Sequence, residues 1–470
     1  MAKRPLFLIL HLIFCAQIFG QSRLFKDSTN IFTKIWSRDS ARKIQYADWK
    51  TFPSHTVEML NGFLPAKDNQ LSRYGGYNSI ALASTGFFRT EKISGRWNVV
   101  DPDGHPFLVT AINSFRRGKS PNNEQAFVQK FGSVQKWMSE SISTFQKLGF
   151  NTAGSWSETE PIIQYNKTSI HPFAYTTQLG LLAGYVRGAV KKNPDRKNFS
   201  TLSFILDEDF VGYCDLQAKK LEEGKNDPNL LGHFSDNELP FLQTEFKNIV
   251  SVEDKSDLCY QSALRWMKSK GVDSTTITKD QKEEFIGWLA GVYFKTVATS
   301  IKKYDPNHLY IGSRLHSSAK NNAYLFAAAN QYVDIISINY YGFWQPQLRH
   351  MADWSSWSDK PFFITEFYTK AQDAGMTNQS GAGWLVKTQS DRGMHYQNFC
   401  LELLRAKNCV GWHWFRYQDN DPTDASADPS NSDSNKGIVN TLYEVYEKLA
   451  DKMKLLNENK YSLTAFFDLQ

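Results

Sequence analysis

The chain is poor in cysteine, with 5 in 470 residues: Cys15, Cys214, Cys259, Cys400 and Cys409. None stands in a C-x-x-C spacing, which excludes a thiolate zinc module; one disulfide among the four that remain after export is possible, and its pairing cannot be read from the sequence. Beyond residue 20 there is no long hydrophobic run, so no later segment reads as a membrane span. A G-x-S-x-G elbow is missing, which removes the usual serine nucleophile. A glycine-rich phosphate turn is missing too: Asn113-Ser-Phe-Arg-Arg-Gly118 follows the first strand, and a doubly wound nucleotide-binding sheet needs something different there. Histidines such as His233, His316 and His413 show no paired ligand spacing and read as satisfied polar side chains, so neither a metal nor another cofactor is expected. Internal repeats and low-complexity linkers are absent. A net charge of +6 is too mild to argue for nucleic acid as a partner.

What is present is ordinary in bulk and unusual in aromatics. Hydrophobic residues at 41% and charged residues at 22% fit a soluble globular chain. Aromatic residues reach 14%, with 13 Trp, 21 Tyr and 33 Phe. Most such rings fill cores, and sugar-binding clefts also use them. The length suits one catalytic domain of roughly 250 to 400 residues with extensions. Lys3 and Arg4 precede an apolar run from Leu6 to Phe19, and Gly20 supplies a small residue, so residues 1–20 read as an export signal and imply a secreted or periplasmic protein. Residues 21–82 read as an irregular arm lying on the main domain. From residue 83 to 470 the pattern is that of a catalytic barrel opened by a hairpin, 86–93 and 96–100 around Ser94-Gly95.

Eight segments carry hydrophobic runs that give way to polar residues, as strands buried on both faces should: 106–114, 149–157, 172–180, 230–239, 308–316, 333–342, 361–368 and 410–419. The third is the weakest. Helical patterns lie between most of them, the clearest at 126–148, 282–304 and 388–407, with a last helix from 439 to about 456. Strands alternating with helices eight times predict an α/β fold of the (β/α)8 TIM-barrel type.

Catalytic groups of such a barrel stand at the C-terminal ends of its strands. Two carboxylates meet that condition. Glu238 closes the fourth strand in Ser235-Asp-Asn-Glu-Leu239, and Glu366 closes the seventh in Phe362-Phe-Ile-Thr-Glu-Phe367. Each alone is equally a glutamate salt-bridged at the barrel rim; together they are the acid and base that glycoside hydrolysis requires.

On these residues the sequence resembles clan A glycoside hydrolases, whose acid/base is a Glu preceded by Asn on the fourth strand and whose nucleophile is a Glu on the seventh; Asn237-Glu238 and Glu366 match. It is more similar to the agarase-like branch that includes the glycoside hydrolase family 50 β-agarases. Ser72-Arg-Tyr-Gly-Gly76, Thr85-Gly-Phe-Phe-Arg89, Asp101-Pro-Asp-Gly104, Leu148-Gly-Phe-Asn-Thr152, Tyr304-Asp-Pro-Asn-His308 and Val410-Gly-Trp-His-Trp-Phe415 carry that likeness, over residues 70 to 440. The resemblance implies hydrolysis of β-linked galactose units in an agarose-like galactan with retention, for which the two carboxyls stand about 5 to 5.5 Å apart. Alternatives are a β-galactosidase acting on short oligosaccharides and a non-catalytic galactan-binding barrel. Polysaccharide or oligosaccharide is the expected partner; the oligomeric state stays open.

Supporting roles follow. Period-two alternation sets Ser337, Asn339 and Tyr341 on one face, toward the pocket, so Tyr341 is the candidate donor to Glu366, against a core tyrosine as the alternative. Asn237 is the candidate donor to the sugar 2-hydroxyl, and Trp414 the candidate apolar wall. Trp156 and Trp344 are candidate stacking platforms or else ordinary packing. Asn113 and Arg116 either contact substrate or brace Glu366. A basic run between the third and fourth strands, Arg187, Lys191, Lys192, Arg196 and Lys197, is either a contact for a sulfated galactan or a solvated loop. The segment 419–435 reads as a mobile loop beside the pocket; a bound calcium there would lack the usual spacing.

Overall fold

The computed structural model describes residues 24–39, 44–65, 70–427 and 431–470. The candidate export signal lies outside the described residues. Eight parallel strands make the central sheet: Val109–Ile112, Thr152–Ala153, Ala174–Gln178, Leu230–Phe234, Leu309–Tyr310, Ile336–Asn339, Phe362–Phe367 and Cys409–Trp414. Each coincides with a predicted segment, the eighth starting one residue early. Numbered along the chain, their spatial order is 5-4-3-2-1-8-7-6. The sheet curls, and its two edges approach each other: Leu315 and Ile338 form a parallel bridge, with Leu315 N donating to Ser337 O and Asn339 N to Leu315 O, both at 2.8 Å.

Strands buried on both faces explain the legible hydrophobic runs. Val109, Ala111, Leu231, Leu309, Phe363 and Val410 pack with one another inside the curl, where Tyr74, Phe88, Val99 and Phe107 of the preceding hairpin region join them. Ile112, Leu230, Phe362 and Trp412 belong instead to the larger core shared with the helices. The hairpin forms as predicted, Arg89–Ile93 against Arg96–Val100, with Ser94 and Gly95 both at positive φ (48° and 84°), the conformation of a tight two-residue turn.

Three expectations change. The helix expected over 126–148 is two helices, Pro121–Lys130 and Val134–Lys147. Gly132 at φ +69° ends one, and Ser133 caps the next by accepting from Lys136 N. The last helical region starts later, as Glu447–Glu458 followed by Lys460–Asp468. The N-terminal segment is not irregular: Thr29–Lys34 pairs with Lys50–Ser54 and with Trp384–Val386, and the last pairs with Thr369–Ala371. These strands are short, mostly polar, and close against residues some 350 positions away, so no local turn announces them.

Among the described residues, no helix is long and apolar enough to cross a membrane. Cys214, Cys259, Cys400 and Cys409 are buried free thiols, so the one disulfide left open by the sequence does not form.

Candidate active site

The C-terminal ends of the strands surround a cavity of about 800 Å³. Backbone strain collects there. Ser114, Trp156, Glu238 and Arg314, which follow the first, second, fourth and fifth strands, all hold positive φ, between 49° and 61°. For residues with a Cβ this costs about 1 kcal/mol or more each, and such positions persist where surrounding contacts fix them.

Glu238 is fixed from both sides. The preceding Asp236 is buried and accepts from Leu182 N (2.9 Å) and Ala183 N (3.0 Å), the first turn of the helix Leu181–Lys192, and from the Tyr293 hydroxyl (2.8 Å). Helix N-terminal amides suit a carboxylate, yet burial still pushes Asp236 up to about 6. Glu238 N donates to Arg314 O at 3.3 Å. Its Oε1 accepts from Asn339 Nδ2 at 2.8 Å, while Asn339 Oδ1 accepts from Thr365 Oγ1 at 2.7 Å. One asparagine of the sixth strand thereby ties the glutamate after the fourth strand to the residue next to the glutamate of the seventh.

Glu366 is only 6% exposed. Its Oε2 accepts from the Tyr341 hydroxyl at 2.8 Å, and its Oε1 from Arg314 Nη2. Burial raises its pKa to about 7; Arg314 and the Tyr341 hydrogen bond pull it down, and the charge of Glu238 adds to the rise. The fully buried Arg314 guanidinium also lies 4.3 Å from the Trp156 ring centroid, a cation–π contact.

The predicted residues divide into two groups. Glu238, Glu366, Asn237, Tyr341, Trp156 and Arg116 all line the cavity. Asn113, Trp344 and Trp414 do not. Asn113 is buried and donates to the backbone oxygen of Thr365, the residue before Glu366, at 2.6 Å. Trp414 faces the helices because the eighth strand slips at Gly411 (φ +148°), where a Cβ would come within 2.2 Å of Val109 O; its indole donates to Lys436 O at 2.9 Å. Strict alternation from Val410 misses that slip. Trp344 donates to Ser54 Oγ at 2.8 Å and stacks near Trp384 and Phe52, pinning the N-terminal strands rather than offering a platform.

Sequence reasoning missed Arg314, and it missed Trp36, Tyr368, Phe415 and Arg416 in the cavity wall. Applying the strand-end rule to the fifth strand would have picked out Arg314. The basic run fails as a cavity contact: none of its five residues lines the cavity, and Arg196 is engaged by Asp207 at 2.7 Å. The loop after Gln418 does border it, through Asn420, Asp424, Ser426, Ala427 and Asn431. Its first residue, Asp419, is buried and accepts from Asn435 Nδ2, Gly437 N and the Tyr446 hydroxyl. His233, Asp305 and His308 sit close enough to hold a metal. Their ring nitrogens are already hydrogen-bonded, to Asp305, Thr177 Oγ1 and Asp227 O, at 2.6 to 2.8 Å, which describes a buried network.

A curled parallel sheet with two glutamates at the ends of different strands, facing one cavity, defines a class of α/β proteins whose working groups stand on strand ends. No protein-family model matches the chain. A solved structure titled "Crystal structure of BpGH50" is 31% identical, with a TM-score of 0.83, covering 93% of this chain and 96% of that one. The chain belongs to that GH50 family. Another structure, "The crystal structure of an agarase, AgWH50C", shares the fold at 21% identity and a TM-score of 0.69, covering 84% of this chain and 66% of that one. "Beta-agarase B" of Vibrio sp. (strain JT0107) is 25% identical over 83% of this chain and 50% of its own length. The chain spans about half the length of the curated relatives it matches. It is the family 50, agarase-like part of the expected resemblance that these relatives bear out.

Proposed function

We propose that the protein is a glycoside hydrolase that cleaves β-galactosidic linkages in an agarose-like galactan with retention of configuration. The observation that carries this is the pair Glu238 and Glu366 in one cavity, each held by a different polar neighbour, Asn339 for the first and Arg314 with Tyr341 for the second. The curled sheet, bridged at its edges by Leu315 and Ile338, supports a complete (β/α)8 barrel as the scaffold. Residues 83–470 are its domain, residues 21–82 an arm upon it, and residues 1–20 a leader for export.

In the first step an oxygen of ionised Glu366 bonds to the anomeric carbon as the bond to the leaving oxygen breaks, and protonated Glu238 delivers its proton to that oxygen. A covalent glycosyl ester on Glu366 results. In the second step Glu238 takes a proton from water as the water oxygen displaces Glu366 from the anomeric carbon, restoring both carboxyls. Arg314 and Tyr341 favour the charged form of Glu366 against the burial that opposes it. Asn339 occupies Oε1 of Glu238, whose Oε2 has no partner among the described residues and remains for proton transfer. Asn237, beside Glu238 in the wall, is placed to meet a sugar hydroxyl, and Trp156 gives an apolar surface.

Incubating the purified protein with neutral agarose oligosaccharides and following reducing-sugar release tests the reading. Turnover that vanishes in Glu366→Gln is the expected result. Binding without any turnover by the unsubstituted protein would favour the galactan-binding barrel instead.

A further inference from the structure

The cavity wall is strongly cationic. It contains Arg38, Arg116, Arg117, Lys119 and Arg416, whereas among the described residues Asp424 is its one carboxylate besides the glutamate pair. Some of these charges are already answered. Arg117 meets Glu158 at 3.4 Å and lies over the Phe127 ring, and Asp424 Oδ1 accepts from Ser426 N and Oγ.

Arg416 is different. It follows the eighth strand, is 8% exposed, leaves its Nε without a hydrogen-bond partner, and makes no ion pair among the described residues. Burial and the neighbouring charge of Arg116 push it down to about 10, against the pull of Asp419 and Asp424, neither of which reaches it as an ion pair. A buried cation without an ion pair is costly, and a second cation beside it adds to the cost. Hydroxyl groups of a neutral galactan compensate such a pair poorly. An oxyanion accepts from a guanidinium in parallel, through charge-assisted bonds about twice as strong as neutral ones.

We propose that Arg416 and Arg116, with Lys119 in the same wall, form a subsite for an anionic substituent of the sugar chain, a sulfate ester or a carboxylate. The proposal deepens the hydrolase reading and rests on it, because the subsite shares the cavity with Glu238 and Glu366. It also moves the expected anion contact from the run at 187–197, which does not line the cavity, to residues after the first and eighth strands.

The test uses three matched galactan oligosaccharides: one sulfated, the same one after desulfation, and one carrying a uronic acid. kcat/KM is measured for each with the unsubstituted protein, Arg116→Gln and Arg416→Gln, at low and high salt. The expected result is a preference for at least one anionic substrate over the neutral one, which falls about 10-fold or more in each variant, as loss of a hydrogen bond to a charged group implies, and shrinks with salt. The arm that shows the preference identifies sulfate or carboxylate. Because Arg416 is buried and its variant is the one at risk of misfolding, exposed Arg116 carries the decision. Equal kcat/KM on all three substrates, or a preference unchanged in Arg116→Gln, overturns the subsite while leaving the hydrolase reading in place. If no substrate is cleaved, the hydrolase reading fails, and calorimetric binding to the unsubstituted protein decides the subsite: tighter binding of an anionic oligosaccharide, weakened in Arg116→Gln, supports it, and equal binding refutes it.

Discussion

Asn339 donates its side-chain amide to Glu238 at 2.8 Å and accepts from Thr365, the neighbour of Glu366, at 2.7 Å. The two glutamates are thus set by one side chain that touches both strand ends. Removing it should loosen the proton donor and leave Glu366 with Arg314 and Tyr341. Asn339→Ala is expected to lower kcat about 100-fold on oligosaccharides, the lower range of general acid–base contributions. On aryl galactosides whose leaving group needs no proton the first step should be nearly spared. Equal losses on both substrate types would assign Asn339 a purely structural role.

Protonated Glu366 lacks the charge needed for attack. With its pKa raised to about 7 by burial, kcat/KM should climb with pH along an acid limb near 7 and fall again once Glu238 has lost the proton it must donate, since this parameter reports the essential acid and base of the free enzyme. Tyr341→Phe deletes a hydrogen bond that favours the ionised form, worth about 1.5 to 3 kcal/mol for a charged acceptor. The acid limb should therefore move upward by roughly 1 to 2 pH units. A profile whose acid limb stays in place in that variant would count against the bond's electrostatic role.

The same shift acts on stability with the opposite sense. A carboxyl whose folded pKa lies above its unfolded value binds more protons when folded, so stability declines as pH rises from the unfolded pKa, near 4.5, through about 7. Glu366→Gln should flatten that part of the pH–stability curve. Denaturant titrations at pH 5 and pH 8 check it; an identical pH dependence in the variant would contradict the raised value.

Trp344 separates packing from substrate contact. Its ring sits 5.5 Å from Phe52 and 6.0 Å from Trp384, away from the cavity lining. Trp344→Ala should destabilise the protein by about 3 to 5 kcal/mol, the cost of emptying a buried aromatic site, with the N-terminal strands loosened first in hydrogen exchange. Trp156→Ala, in contrast, should raise KM. The reverse pattern would return Trp344 to the role of a platform.

The central sheet was legible because strands buried on both faces write continuous hydrophobic runs, and several of them give way to polar residues that line the cavity, among them Ser114, Glu238, Asn339 and Glu366. Tyr341 was legible for a related reason: alternation along Ser337, Asn339 and Tyr341 holds in the structure, and those side chains meet Arg314 N, Glu238 and Glu366. Trp414 turns away from the cavity because alternation along the eighth strand breaks at Gly411, and no residue pattern marks a slip that only a glycine's close approach to Val109 permits. Arg314 escaped notice because its partner stands two strands away across the sheet's edge. The strands at 29–34 and 50–54 gave no signal because they are short and mostly polar, and Thr33 and Lys34 pair further only with Val386 and Leu385, some 350 positions away.

The anomeric configuration of the first product tests the central claim most directly. Proton NMR of an agarose oligosaccharide digest, recorded before mutarotation, should show the β-anomer at the newly formed reducing end, as two displacements at one carbon through Glu366 require. An initial α-anomer would mean a single displacement by water, and would contradict Glu366 as the nucleophile.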